Sequence, residues 1–482
     1  MPEIRFNNRK PVPMEMHKTM IVQKLNLVPV NERLAKMKEA GFNAYQLHNV
    51  DIFMDMLTDS GVNAMSDVQQ SAMLRADDAY AGSESFFRMQ RKLEELFGIS
   101  HVLPAHQGRG AENILATHFV KPGNCVICNY HFTTTKAHIV RLGGHVEELI
   151  KDEGLEVSSD LPFKGDMDLD KLEACIEAEG ADNIAFVRIE AGTNLIGGQP
   201  VSVQNMRDVS AICKKHGIIC LMDASLLQDN LYFIKIREEE FKDKTIREIT
   251  REIADLFDII YFSARKFGFA RGGAIMVRDE QMFHDMEDLV PMFEGFLTYG
   301  GMSVREIEAI TVGLEETMDF DVISQGPQFI KYLVDELTAL GVPMVTPGGG
   351  LGAHIDATQF CAHVPKTEYQ AASLICALYI AGSIRGMERG TQSEERNPDG
   401  SERIASMELV RLAVPRRSHS LSHMEYVIDR VKWLYDHREL IGGLRFVHEP
   451  KTLRFFTGIM EPTSDWPDRL AAAYAADFGE DQ

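Results

Sequence analysis

Residues 258–266 read Asp-Ile-Ile-Tyr-Phe-Ser-Ala-Arg-Lys. A short run of β-branched and aromatic residues is the signature of a buried strand, here predicted over 258–262. It is followed at once by Ser263, Ala264, Arg265 and Lys266. A lysine at the end of a buried strand can lose its proton to desolvation and form a Schiff base with a carbonyl carbon. Alone, the same four residues also read as an exposed turn, so the sequence on either side has to decide.

Working outward, apolar runs at 125–130, 183–189, 218–222 and 273–277 are predicted strands. Helical spacing at 111–120 and 206–216 falls between them, with Gly217 closing the second helix. Alternation of this kind implies an α/β domain with a mostly parallel sheet. After about residue 310 the pattern changes, and helices predicted at 307–318, 328–339, 368–380 and 424–435 dominate. Gly-rich 347–352 and the NPDGS turn at 397–401 punctuate that region. The expected organisation is an N-terminal arm and part of a small domain over 1–57, then a large α/β domain over 58–310. A small α+β domain over 311–460 and an acidic, Ala-rich tail over 461–482 follow. The tail reads as a short helix or a solvated extension.

The chain has 482 residues, is 45% hydrophobic and 25% charged, and carries a formal net charge of −22. That is a globular composition long enough for two or three domains. The acidity argues against nucleic acid and anionic membrane partners, which require clustered Lys and Arg. No run approaches the roughly 18 apolar residues of a membrane span; 371–384 reads as a buried helix. MPEIRFNNRKPVP at the start lacks the apolar core of a signal peptide. Seven scattered cysteines fit reduced thiols, and the CxxC of Cys125 and Cys128 lies inside a strand-like run. A cytoplasmic location is expected.

Three further segments carry chemistry. His106-Gln107-Gly108-Arg109-Gly110-Ala111-Glu112-Asn113 precedes a helical run. Small residues at a helix N-terminus let backbone N–H groups meet an anion, and Arg109 can add a bidentate phosphate contact. Asp223 closes the strand at 218–222, at the end of the sheet where open α/β folds bind ligands. Phe132 follows the strand at 125–130, where a ring can stack on a flat cofactor. Phosphate loop, aromatic ring, carboxylate and lysine thus occur in order, each at a predicted strand end. That order is the arrangement of the fold type I enzymes that use pyridoxal 5′-phosphate (PLP), the aspartate aminotransferase-like fold.

LTDSGVNAMSD (57–67), DAYAGSESF (78–86), HQGRGAEN (106–113), FTTTKAH (132–138), NLIGGQPVS (194–202), MERG (387–390), VRLAVPRR (410–417) and EPKTLRFFT (449–457) resemble the β-eliminating lyases, the family of tyrosine phenol-lyase and tryptophanase. The resemblance runs from about residue 30 to about residue 460. It implies Lys266 as the Schiff-base lysine and α-proton base, and Asp223 as partner of the pyridine nitrogen. It implies Gln107, Gly108, Arg109, Ser263 and Arg265 around the phosphate and Phe132 on the ring. Arg411 would clamp the substrate carboxylate, with Asn194, Thr58 and Ser60 nearby. Tyr80 would protonate the leaving group across a dimer interface, in a homotetramer built from catalytic dimers. Thr133, Arg389 and Phe455 match the phenol-lyase branch, and the first two suit a phenolic oxygen.

Two departures stand out. The family's arginine shortly after the ring-nitrogen aspartate is Leu226 here, replacing a cation with hydrocarbon. The loop after Lys266 is one residue shorter and lacks the family's asparagine, which helps bind a monovalent cation with positions matching Gly61 and Asp78. Arg271 falls near that place and is expected to substitute for potassium. The resemblance implies β-elimination of tyrosine or a ring-modified tyrosine to a phenol, pyruvate and ammonia. Leu226 keeps open β-replacement, transamination or decarboxylation on the same scaffold. A PLP-binding regulatory protein without catalysis is the remaining alternative.

Overall fold

The computed structural model describes residues 12–481, so the N-terminal stretch 1–11 lies outside the described residues. Its centre is a seven-stranded sheet. In spatial order the strands are His101–Ala105, Gly273–Val277, Ile259–Ser263, Cys220–Asp223, Ile184–Glu190, Cys125–Cys128 and His145–Glu148. Only Gly273–Val277 runs antiparallel to its neighbours; the other pairings are parallel. The five strands expected from sequence are all present, and two edge strands join them.

Apolar side chains cover both faces of this sheet, as parallel sheets require. Cys125 and Ile127 enter the core on one face, while Val126 and Cys128 enter the core on the other. The two cysteines of the CxxC therefore point to opposite sides of the sheet, because strand side chains alternate. Both are free and buried.

The second body centres on the three-stranded antiparallel sheet Met387–Arg389, Leu409–Ala413 and Gly352–Asp356. The helix Gln370–Gly382 is buried along its whole length within this core. Residues 30–56 belong to the same core through Val30, Met37, Phe42 and Met54. Arg33 is buried there, donating to the carbonyls of Ile380 (2.8 Å) and Val28 (2.6 Å). Among the described residues no helix is long and apolar enough to cross a membrane.

Of the two expectations for the end of the chain, a short helix or a solvated extension, the structure has the helix. Trp466–Phe478 is a helix that buries Trp466, Leu470, Ala471 and Tyr474 in the second core. The indole Nε1 of Trp466 donates to the Gly443 carbonyl at 3.1 Å. Its acidic residues Asp468 and Asp477 face outward, so the helix is amphipathic and docks by its apolar face, which the acidic composition did not suggest.

Candidate active site

The strands Ile259–Ser263, Cys220–Asp223 and Ile184–Glu190 all end at one edge of the large sheet, and the main cavity opens there, about 320 Å³ in volume. Lys266 lies one tight turn beyond Ser263: the amides of Lys266 and Phe267 both return to the Ser263 carbonyl, at 3.1 and 3.0 Å. Phe267 is buried against Phe97 and Phe262, which anchors that turn. Lys266 Nζ stands 5.4 Å from the centroid of Phe132.

Asp223 is almost fully buried. Its Oδ2 accepts from Arg188 Nη2 at 2.5 Å and from the Tyr261 hydroxyl at 2.7 Å, and its Oδ1 accepts from the Ser225 amide at 2.9 Å. Burial alone would raise its pKa. The Arg188 charge and the donors from Ser225 and Tyr261 outweigh that and hold the carboxyl below its ordinary range. The result is a carboxylate that stays ionised at neutral pH. Glu112 extends the network, accepting from Thr134 (2.5 Å) and Thr135 (2.9 Å).

At one side of Asp223 lies an anion cradle. The helix Gly108–Phe119 starts against the end of the Lys266 strand. A Cβ on Gly108 would lie 2.9 Å from Ser263 Cβ, so glycine permits that approach. The amides of Gly110 and Ala111 return to the Gln107 carbonyl at 3.0 and 3.3 Å, while Gly108 and Arg109, ahead of them in the first turn where N–H groups lack intrahelical acceptors, line the cavity with Gln107, Ser263 and Arg265. Burial, followed by the charges of Arg271 and Arg109, lowers the Arg265 pKa. Adjacent guanidiniums with so little compensating carboxylate suit a phosphate dianion.

The opposite wall comes from the second body. Arg411 and Arg389 are buried on neighbouring strands, and neither makes an ion pair among the described residues. Arg411 donates to Asn194 Oδ1 (2.6 Å) and to the Leu57 carbonyl (2.9 Å). Burial and the charge of Arg389 push its pKa down to about 9. Arg389 reaches the same Asn194 oxygen at 3.5 Å, leaving Nε and Nη1 unpartnered. Thr133 Oγ1 is likewise buried without a partner. Thr58 and Ser60 reach the cavity on the 57–65 loop, which Arg416 secures through Asp59 (3.2 Å) and Asn63 (2.7 Å). Phe455 closes one end with Tyr45 and Phe456.

Every cofactor- or substrate-contacting residue expected from sequence lines this cavity; Tyr80 does not. It is 72% exposed, its ring against Phe296 and Tyr299. Sequence reasoning did not anticipate Tyr45, Glu112, Glu190, Met387 or Phe456 as lining residues. Glu190 carried a usable signal, a carboxylate ending a buried strand as Asp223 does.

The expected exchange of potassium for Arg271 needs correcting. The guanidinium packed against Gly61 is that of Arg265, whose Nη2 would lie 2.7 Å from a Cβ there. Arg271 turns outward, 59% exposed, with Glu306 at 3.8 Å. Asp78 pairs with Arg305 at 3.5 Å. The shortened loop carries the Arg271 side chain past Gly61, and Arg265 occupies the space.

The fold and this site define a PLP-dependent enzyme of fold type I. Solved structures agree on the fold: the aspartate aminotransferase of Thermotoga maritima aligns with a TM-score of 0.56 at 13% identity, over 84% of this chain and 96% of that one. The threonine aldolase of Leishmania major aligns at 0.55 and 16% identity, over 79% and 99%. The chain belongs to the β-eliminating lyase family, whose model matches residues 55–430. Among its relatives, the tyrosine phenol-lyase of Pasteurella multocida is 42% identical over 93% of this chain and 99% of its own length. That of Clostridium tetani is 42% identical over 92% and 97%.

The residues present fit PLP. An ionised buried carboxylate, a lysine over an aromatic ring and a cationic helix-N-terminal cradle meet in one cavity.

Proposed function

We propose that the protein is a PLP-dependent carbon–carbon lyase that converts L-tyrosine, or a ring-modified tyrosine, to a phenol, pyruvate and ammonia. The observation carrying this reading is a set of unpartnered polar atoms, Thr133 Oγ1 and the Nε and Nη1 of Arg389, buried in the same cavity as Arg411. Buried donors without acceptors are costly unless a ligand satisfies them. Arg411 suits the amino acid carboxylate, and Thr133 with Arg389 suits a phenolic oxygen. The names of the relatives support the same substrate.

Bound over Asp223, PLP would supply an electron sink for negative charge at the substrate α-carbon. Asp223, held ionised by Arg188 and Tyr261, would keep the pyridine nitrogen protonated. Gly108, Arg109, Ser263 and Arg265 would hold the phosphate, and Phe132 would cover the ring. Lys266 would take the α-proton. Arg411 and Asn194 orient the carboxylate so that the α-hydrogen faces Lys266. Phe455, Phe456 and Tyr45 exclude water from the aromatic side chain. Tyr80, exposed on the surface of its own subunit, would act as general acid in the cavity of a second copy. This implies an assembly of catalytic dimers, with a homotetramer and the cytoplasm as the expected state and location.

The test is product analysis with L-tyrosine and L-tryptophan. Equal yields of phenol, pyruvate and ammonia from tyrosine, with little from tryptophan, support the reading. Leu226 favours one second reading, another PLP reaction on a specialised amino acid, and a keto acid formed without ammonia would establish that instead.

A further inference from the structure

Glu190 lines the cavity wall and has no role in the scheme above. Its strand pairs in parallel with the strand of Asp223, and Glu190 and Asp223 are register partners. Aligned residues on adjacent strands project to the same face. Glu190 is 5% exposed and lines the cavity. Its Oε1 accepts from the Asn194 amide at 3.3 Å. Its Oε2 is buried with no hydrogen-bond partner. The nearest cation, Arg188 Nη1 at 3.6 Å, belongs to a guanidinium already bonded to Asp223, Tyr261 and the Tyr130 carbonyl. Of the three cavity-lining carboxyl groups, Glu112, Glu190 and Asp223, only Glu190 has an oxygen left over.

Strand order says what this oxygen would meet. The phosphate cradle of Gly108 and Ser263 lies on one side of Asp223, and Glu190 lies on the other. In PLP the phosphate arm and the ring's 3-oxygen flank the aldehyde carbon on opposite sides. A ring with its nitrogen at Asp223 and its phosphate in the cradle therefore turns its 3-oxygen edge towards the Glu190 strand. Leu226, 2% exposed and also on the wall, offers only hydrocarbon.

We propose that Glu190 is a direct ligand of the cofactor ring, its free Oε2–H donating a hydrogen bond to the ring's 3-oxygen in place of a cation. This rests on the PLP reading above. The protonation state supports it: burial pushes the Glu190 pKa up to about 8, with Asp223 raising it and Arg188 and Lys266 opposing. Arg389 also faces it from the second body. Near pH 7 the group is a neutral acid with a proton to give.

The experiment uses full-length protein with added PLP, and compares wild type with Glu190→Leu and Glu190→Gln. The readouts are the PLP dissociation constant and the pH titration of the bound cofactor's visible absorption. A wild type with no visible band would overturn the cofactor reading itself, before Glu190 is tested. With the band present, Glu190→Leu is expected to weaken PLP about tenfold and to move the titration midpoint by about one pH unit. Glu190→Gln, which keeps a neutral donor, should stay within about twofold of wild type. A Leu variant that binds and titrates as wild type does would overturn the proposal. Should that variant not fold, difference infrared on wild-type apo-protein decides. PLP addition must shift a protonated carboxyl band that Glu190→Gln lacks, and an unshifted band overturns the proposal.

Discussion

Arg411 Nη1 donates a hydrogen bond to Asn194 Oδ1 at 2.6 Å, and that amide oxygen takes the place a carboxylate would fill in an ordinary buried ion pair. The arrangement leaves a buried guanidinium short of one negative charge. Arg411→Lys removes the planar fork while keeping the charge. It should cut kcat/KM for tyrosine by about 100-fold or more, mainly through KM, because charge-assisted bidentate contacts are worth roughly 2–4 kcal/mol. Steady-state kinetics checks this, and a variant within threefold of wild type would remove Arg411 from the substrate site.

Under the proposed reading, Arg389 would serve ring recognition apart from the core chemistry. Arg389→Leu should lower kcat/KM for tyrosine by about 100-fold. Amino acids whose β-leaving group bears no hydroxyl should be far less affected, because no phenolic oxygen is left unpaired. Pyruvate release from both substrate types measures the ratio; equal losses on the two would contradict the role.

Tyr261 tests the ionised state of Asp223. Tyr261→Phe removes a 2.7 Å donor and should cost about 1–2 kcal/mol of stability at pH 7. The Asp223 pKa is depressed in the folded protein, so its contribution exists above the unfolded value of about 4 and fades as pH falls below it. The difference between variant and wild type should therefore shrink in acid. Denaturant midpoints at pH 7 and in the acid limb of the stability curve measure it.

Arg265 beside Gly61 bears on cation dependence. Replacing sodium with potassium in the assay should change kcat by less than about twofold, since a guanidinium already provides positive charge there. Arg265→Ala should weaken phosphate binding. Many-fold activation of wild type by potassium would show that the metal site survives.

The C-terminal helix is expected to be structural. Trp466→Ala should destabilise the second body by about 3–5 kcal/mol, the usual cost of deleting a buried large aromatic side chain. A thermal midpoint unchanged within a degree would show the helix to be dispensable.

Strongly periodic elements were legible because burial on both faces of a parallel sheet leaves uninterrupted apolar runs such as 259–263. The strand His101–Ala105 escaped because it contains Pro104 and lies at the sheet edge, where a missing N–H is tolerated. His145–Glu148 is only half-buried on the opposite edge, so its polar residues hid it. At the site, Lys266 and Asp223 were legible from their strand ends, and the substrate wall from its motifs. Tyr45 and Phe456 were not, since they arrive from distant segments as ordinary aromatic residues. A short helix was one expectation for the tail; that Trp466, Leu470 and Tyr474 recur at helical spacing and dock it was masked by the acidic composition.

The threading of residues 30–56 into a core completed by residues as distant as Tyr474 sets an order of assembly during synthesis. Val30 cannot reach its final packing until the segment carrying Tyr474 has been made. The seven-stranded sheet, complete by Val277, can form while translation continues at about 5–20 residues per second. Over that interval the early helix has no native surface to rest on. Thr58 and Ser60, on the loop that follows it, line the cavity beside Arg389 and Arg411 of the second body, so that wall is complete only once the second core has closed.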